Sequence, residues 1–265
     1  MTGRNLFIKK NLPELKIPYL MAVIVINPVA VSMSLQYSSA WYTMHALLLW
    51  LLYFWNTKDS GKLTSAFFIT GIGIAYFDFL TYPLVVYGIP ICVVIYEYYK
   101  KTDITSKNIV KTIITSGISF LAGYVILFIS KWILGIIAAG PQVIASITEH
   151  VSERMSSTGM DYEIHRYDAI LKNLEVLNHA PYIFILIISL LAFAAFYLYK
   201  KRKPDFDKRL VIPSILIFLS PFVWFMALAN HSHAHYFFTY RIVSIAIFVL
   251  YMLICSRLVS DKNSQ

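Results

Sequence analysis

Apolar stretches long enough to cross a bilayer recur along the whole of this chain, and that recurrence restricts its fold more than any motif does. A spanning helix needs about 20 mostly apolar residues, and hydrocarbon leaves no backbone amide free to go unpaired. The expected fold is an all-α, polytopic transmembrane helix bundle. Composition points the same way: 58% of residues are hydrophobic, 14% are charged and the mean hydropathy is +0.64. An ordinary soluble domain carries roughly 25% charged residues.

Eight spans are read from the pattern, at about 17–34, 41–55, 63–80, 82–98, 111–137, 181–199, 210–229 and 242–258. Asn27-Pro28 lies inside the first and is expected to kink it, because proline removes an N–H and crowds the preceding turn. The chain divides into an N-terminal membrane half (1–139), an extracytoplasmic amphipathic segment (140–180) and a C-terminal membrane half (181–265). No small-residue cleavage site follows the first apolar run, so that run reads as a span and not as a signal peptide.

Lysine and arginine set the orientation. Arg4, Lys9, Lys10 and Lys16 precede the first span, and Lys58 and Lys62 follow the second. Lys100, Lys101, Lys107 and Lys111 follow the fourth, and the basic run from Lys200 to Arg209 follows the sixth. All fall on one side of an alternating path, which the positive-inside rule makes the cytoplasm, with both termini there. The net charge of +9 is thereby a matter of topology. No basic, aromatic-interleaved soluble domain offers itself to nucleic acid.

The opposite side collects "SLQYSSA" (34–40), "FDFLTYP" (77–83), the 140–180 segment and "NHSHAHYFFTYR" (230–241). Within 140–180, Val143, Ile147, Val151 and Met155 repeat at helical spacing. Ile164, Tyr167, Ile170, Leu171, Leu174 and Leu177 repeat the pattern. Two amphipathic helices are expected on the outer interface or over the bundle mouth, as a packed cap or as a lid.

Several residues on this side have chemistry to offer. Asp78 lies near the outer end of the third span, where a carboxylate serves as a general base, a binder of sugar hydroxyls or a structural ion-pair partner. Lys131 either snorkels beside Trp132 or holds a lipid phosphate. Arg241 stands where the inside-positive bias makes arginine unexpected, and its guanidinium forks onto phosphate or carboxylate. Arg166 and Tyr240 join these two as candidates for binding substrate or carrier phosphate. So do His231, His233 and His235, which share one face only if the segment is extended; in a helix, His233 points away. A polar–aromatic interface belt is the plainer reading of that loop. Zinc needs three or four ligands, and neither HExxH nor a second carboxylate–histidine cluster is present, so a divalent metal is the least favoured reading of the histidines and no cofactor is firmly implied. His45 reads as a satisfied interior histidine, and Cys92 and Cys255 as small packing residues. Walker, dinucleotide-binding and GxSxG patterns are missing, and no cytoplasmic segment is long enough for a nucleotide-sugar transferase domain.

In order along the chain, "SLQYSS", "YFDFLTYPLVVYGIP", "GYVILFISKW", "RYDAILKNL" and "NHSHAHYFFTYR" resemble the later part of a group of multispan bacterial membrane proteins. That group is similar to the GT-C-type glycosyltransferases of cell-surface polysaccharides, and the resemblance runs from about residue 17 to 258. It implies transfer of a sugar from a polyprenyl-phosphate carrier to a glycan acceptor at the outer face of a bacterial plasma membrane. Such enzymes place an essential acid in their first outer loop. "SLQYSSA" has none, and relatives carry further spans and an acidic outer loop before the "SLQ" region, so the resemblance does not promote Asp78 to that base. Three functions follow: the transferase, a non-catalytic accessory or half-subunit completed by a second membrane subunit, and a transporter or flippase for lipid-linked sugars. The last would need cytoplasm-facing polar groups within spans, and Thr115, Ser116 and Ser130 are ordinary helix residues.

Overall fold

The computed structural model describes residues 12–27, 35–77, 80–101, 103–155, 165–178, 182–199 and 207–260. Every regular element among them is a helix. The α-helices are α1 (Lys16–Ile26), α2 (Leu35–Tyr53), α3 (Ser60–Phe77), α4 (Pro83–Tyr99), α5 (Ser106–Ala139), α6 (Val143–Met155), α7 (Arg166–Glu175), α8 (Tyr182–Tyr199), α9 (Lys208–Ala227), α10 (Ala229–Ala234), α11 (Tyr236–Thr239) and α12 (Ser244–Ser260). Among the described residues, three segments, not eight, are single helical stretches long and apolar enough to cross a membrane: Ser106–Ala139, Lys208–Ala227 and Tyr236–Ser256. A shorter apolar helix is Pro83–Tyr99.

α4 is the centre of the bundle. Val85, Val86, Ile89, Ile91, Cys92, Val93, Val94 and Ile95 are all buried, the all-round apolar character of a helix enclosed by other helices. α2, α5, α9 and α12 pack around it, and α1 lies along α12. The two membrane halves of the sequence thus share one core, whose largest enclosed side chains include Trp55, Tyr82, Tyr251, Phe67, Phe225 and Phe248.

The closest helix pair is α3 with α5. A methyl group added at Gly71 would meet Phe120 O at 2.1 Å, and one added at Gly123 would meet Phe68 O at 2.1 Å. Only glycine admits backbones this near, and small residues at such contacts are how helices pack where lipid supplies no hydrophobic drive. Ser119 Oγ donates across the pair to Thr64 O at 2.8 Å.

Three boundaries differ from the sequence reading. The first helix stops at Ile26, where Asn27 takes the left-handed conformation at φ 57°, and the remainder of the expected 17–34 span lies outside the described residues. A residue before proline disfavours the helical region, and asparagine tolerates the left-handed one. "SLQYSSA" is not a loop from end to end, since α2 is already helical at Leu35, there being no glycine or proline to break it. α5 extends from Ser106 to Ala139, beyond the expected 111–137, because Thr105 caps its start and Gly140 ends it.

Candidate functional site

The polar residues expected on the outer side gather at one end of the bundle through a few cross-element hydrogen bonds. Tyr82 OH donates to Tyr37 O. Asn230 Nδ2 donates to Glu153 O at 2.6 Å, tying α10 to the last turn of α6. His231 bonds Leu80 O at 2.9 Å through Nε2, and because a carbonyl only accepts, that nitrogen carries the proton. Leu80 sits at φ 67°, in the left-handed region, a conformation that costs a side-chain-bearing residue about 1–2 kcal/mol.

"NHSHAHYFFTYR" is helical, as α10 and α11. His231 and His235 therefore face each other with ring centroids 4.9 Å apart, and His235 stacks on Phe238 at 5.1 Å. His233 lies outside that pair. Burial pushes the His231 pKa down to about 4, against the raising effect of the Leu80 bond, with His235 and Arg154 adding to the fall. His235 is lowered by burial and then by Arg154. Among the described residues, no group of three or more histidine, cysteine, aspartate or glutamate side chains is placed to hold a metal ion.

Three of the candidate cations share one occupation. Lys131 Nζ donates to Ala75 O at 2.8 Å in the last turn of α3. Arg166 Nη1 donates to Met226 O at 2.8 Å in the last turn of α9. Arg241 Nε donates to Ile26 O at 2.9 Å, the last residue of α1. The final carbonyls of a helix lack partners within the helix and form the negative end of its dipole, so a cation there is doubly favoured. This gives each of the three basic residues at this end a helix terminus as its partner.

Arg241 does more. It is 2% exposed, and its Nη1 also faces Phe237 O at 3.2 Å and Phe238 O at 3.3 Å. Its guanidinium lies over the rings of Tyr37 at 4.7 Å and Tyr240 at 5.0 Å. Beside it opens a cleft of about 460 Å³ lined by Asn27, Lys172, Glu175, Val176, Tyr182, Tyr236, Phe237, Tyr240 and Arg241, within the roughly 300–1,000 Å³ of ligand sites. Lys172 lies 4.9 Å from the Tyr236 ring centroid and pairs with Glu175 at 3.3 Å. Two cations, one carboxylate and three phenols thus meet in one concavity.

The cleft's wall is set by residues that the pattern did not single out. Asn173 on α7 is wholly buried. Its amide donates to Ala169 O at 2.7 Å and Ser232 O at 2.8 Å, and it accepts from Thr239 Oγ1 at 2.7 Å. The amphipathic stripe on 164–177 is accordingly rotated: Ala169 and Asn173 face in, while Tyr167 and Leu171 are 57% and 60% exposed. A full set of amide hydrogen bonds outweighs the two exposed apolar side chains in fixing α7. The signal in the sequence was an asparagine four residues after a small alanine. α7 is thereby held against the bundle by its Ala169–Asn173 face.

Asp78 falls outside the described residues. His45, as expected, is satisfied inside the bundle: Nδ1 bonds Trp41 O at 2.7 Å, and Tyr19 OH bonds Nε2. No known protein family, curated protein or solved structure matches this chain.

Proposed function

We propose that this chain is an eight-span membrane protein, both termini cytoplasmic, that acts as a glycosyltransferase-like protein on polyprenyl-phosphate-linked sugars at the outer face of a bacterial plasma membrane, in cell-surface polysaccharide assembly. The supporting observation is the cleft: a buried arginine and a lysine beside three tyrosines form the kind of surface that takes a phosphate and sugar hydroxyls together. In transfer, an acceptor hydroxyl attacks the anomeric carbon, the carbon–oxygen bond to the carrier phosphate breaks, and a base takes the acceptor proton. Asp78 is the candidate for that base, and the resemblance to GT-C-type enzymes supplies the reaction class.

One observation favours the second reading, a non-catalytic accessory or half-subunit. Among the described lining residues, the single carboxylate is Glu175, and it is paired with Lys172. A second membrane subunit would then bring the acidic outer loop.

Titration of the purified protein with a fluorescent polyprenyl-phosphate sugar tests the cleft. Lys172→Met should weaken binding about tenfold, equivalent to about 1.4 kcal/mol, with thermal stability unchanged. Unaltered binding would remove the cleft from the reading. Transfer itself is tested in cells that depend on this protein: glycan assembly unchanged by Asp78→Asn, Lys172→Met and His235→Ala alike would end it. Binding lost on Lys172→Met with assembly indifferent to Asp78→Asn would select the accessory role.

A further inference from the structure

α6 and α7 are both amphipathic, yet only α7 is packed. α6 buries none of its residues. Val143, Ile144, Ile147, Val151 and Met155 lie within one side of it at 100° per residue, with Glu149, Ser152 and Glu153 opposite. Ile144, Val151 and Met155 are 53%, 38% and 44% exposed. The bond from Asn230 to Glu153 O fastens its last turn to the bundle.

The helix before it explains what that apolar side meets. α5 has 34 residues, about 51 Å of helix at 1.5 Å per residue against a hydrocarbon core of about 30 Å. Its buried residues all lie between Ile109 and Tyr124. Lys131 marks the level at which α3 ends, and the apolar surface continues past it through Ile133, Leu134 and Ile137, which are 51%, 65% and 75% exposed. Gly140, at φ 87°, then turns the chain. α6 folds back beside the end of α5, where a methyl added at Gly135 would touch Val143 Cγ1 at 3.6 Å. The exposed apolar surface of the span thus passes over the turn onto α6.

We propose that α6 is an interfacial helix seated in the outer leaflet of the bilayer. Its apolar side enters the acyl boundary, and its Glu149–Glu153 side faces water. Continuity with the lipid-facing surface of α5 selects lipid as the occupant. The proposal rests on the reading of α5 as a span.

The full chain in phosphatidylcholine–phosphatidylglycerol vesicles tests both, with an environment-sensitive fluorophore on single introduced cysteines. Cys92 and Cys255 are buried and contribute little labelling. Bromines placed shallow or deep on the acyl chains and iodide in the water are the quenchers. A label on Ile118→Cys, whose native side chain is 63% exposed midway along α5, should be quenched by deep bromines. One on Val151→Cys should be quenched by shallow bromines, and one on Glu149→Cys by iodide alone. If Val151→Cys answers to iodide alone, or to no quencher because protein covers it, while Ile118→Cys still meets bromine, the interfacial helix is overturned and the span stands. If Ile118→Cys escapes bromine altogether, the span reading fails first.

Discussion

His231 is 7% exposed with its Nε2 proton committed to Leu80 O, and burial holds its pKa near 4 against the ordinary 6.5. Between those two values the unfolded chain binds a proton that the native chain refuses, so native stability rises with pH across that window. The stabilising term is complete above about pH 6.5 and is lost as pH falls towards 4. About 2.5 pKa units correspond to about 3 kcal/mol. His231→Gln keeps an N–H donor and does not titrate. Its melting temperature should therefore fall less than that of the wild type between pH 6.5 and 4, and parallel profiles would show that His231 carries no such term. Arg241 gives a second expectation at this scale. Its fork serves Ile26 O, Phe237 O and Phe238 O together, whereas lysine, a point charge, fits this spread of carbonyls poorly. Arg241→Lys should cost about 2–3 kcal/mol in denaturant titration, the worth of a lost charged hydrogen bond. A variant as stable as the wild type would mean that the charge alone matters.

Among elements, the contact of α3 with α5 makes the sharpest demand on sequence. Gly71→Ala would put a methyl 2.1 Å from a backbone oxygen, while Gly73→Ala, two residues along the same helix, meets nothing within 4 Å. Overpacking costs about 1–3 kcal/mol and more where the neighbour cannot rotate away. Alanine at a helical site with open space gains up to about 1 kcal/mol over glycine. Thermal unfolding in detergent should therefore separate the two variants in opposite directions, and equal melting temperatures would refute the close approach. Hydropathy could not reveal this pair, because glycine inside an apolar run looks alike whether or not a backbone lies against it. It did reveal that the chain is helical, since long apolar runs leave the backbone few alternatives, while three of the eight expected spans are single helices of spanning length among the described residues. It placed α7 but not its rotation, for the inward face is chosen by the hydrogen bonds of Asn173. It marked Lys131, Arg166 and Arg241 as unusual without showing that helix ends were their partners, because those carbonyls lie 56, 60 and 215 residues away in sequence.

At the scale of the whole molecule, the hydrogen bonds sort the connections to two ends. Tyr98 OH reaches Thr57 O at 3.2 Å, Ser106 Oγ reaches Lys208 O at 3.1 Å and Arg209 Nη1 reaches Lys101 O at 3.2 Å, so two lysine-bearing connections and the basic start of α9 meet at one end. The other end holds the cleft, the histidine pair and the carbonyl termini of α1, α3 and α9, each met by a cation. These cations are engaged by helix dipoles, so among the described residues the positive-inside bias rests with the lysine-bearing end. That end should face the cytoplasm. An impermeant maleimide applied to intact cells should then label Glu149→Cys and spare Lys58→Cys until the membrane is opened. Buried Cys92 and Cys255 keep the background low. Labelling of Lys58→Cys in intact cells would invert the molecule, move the cleft to the cytoplasm and remove the outer-face carrier sugar from its reach.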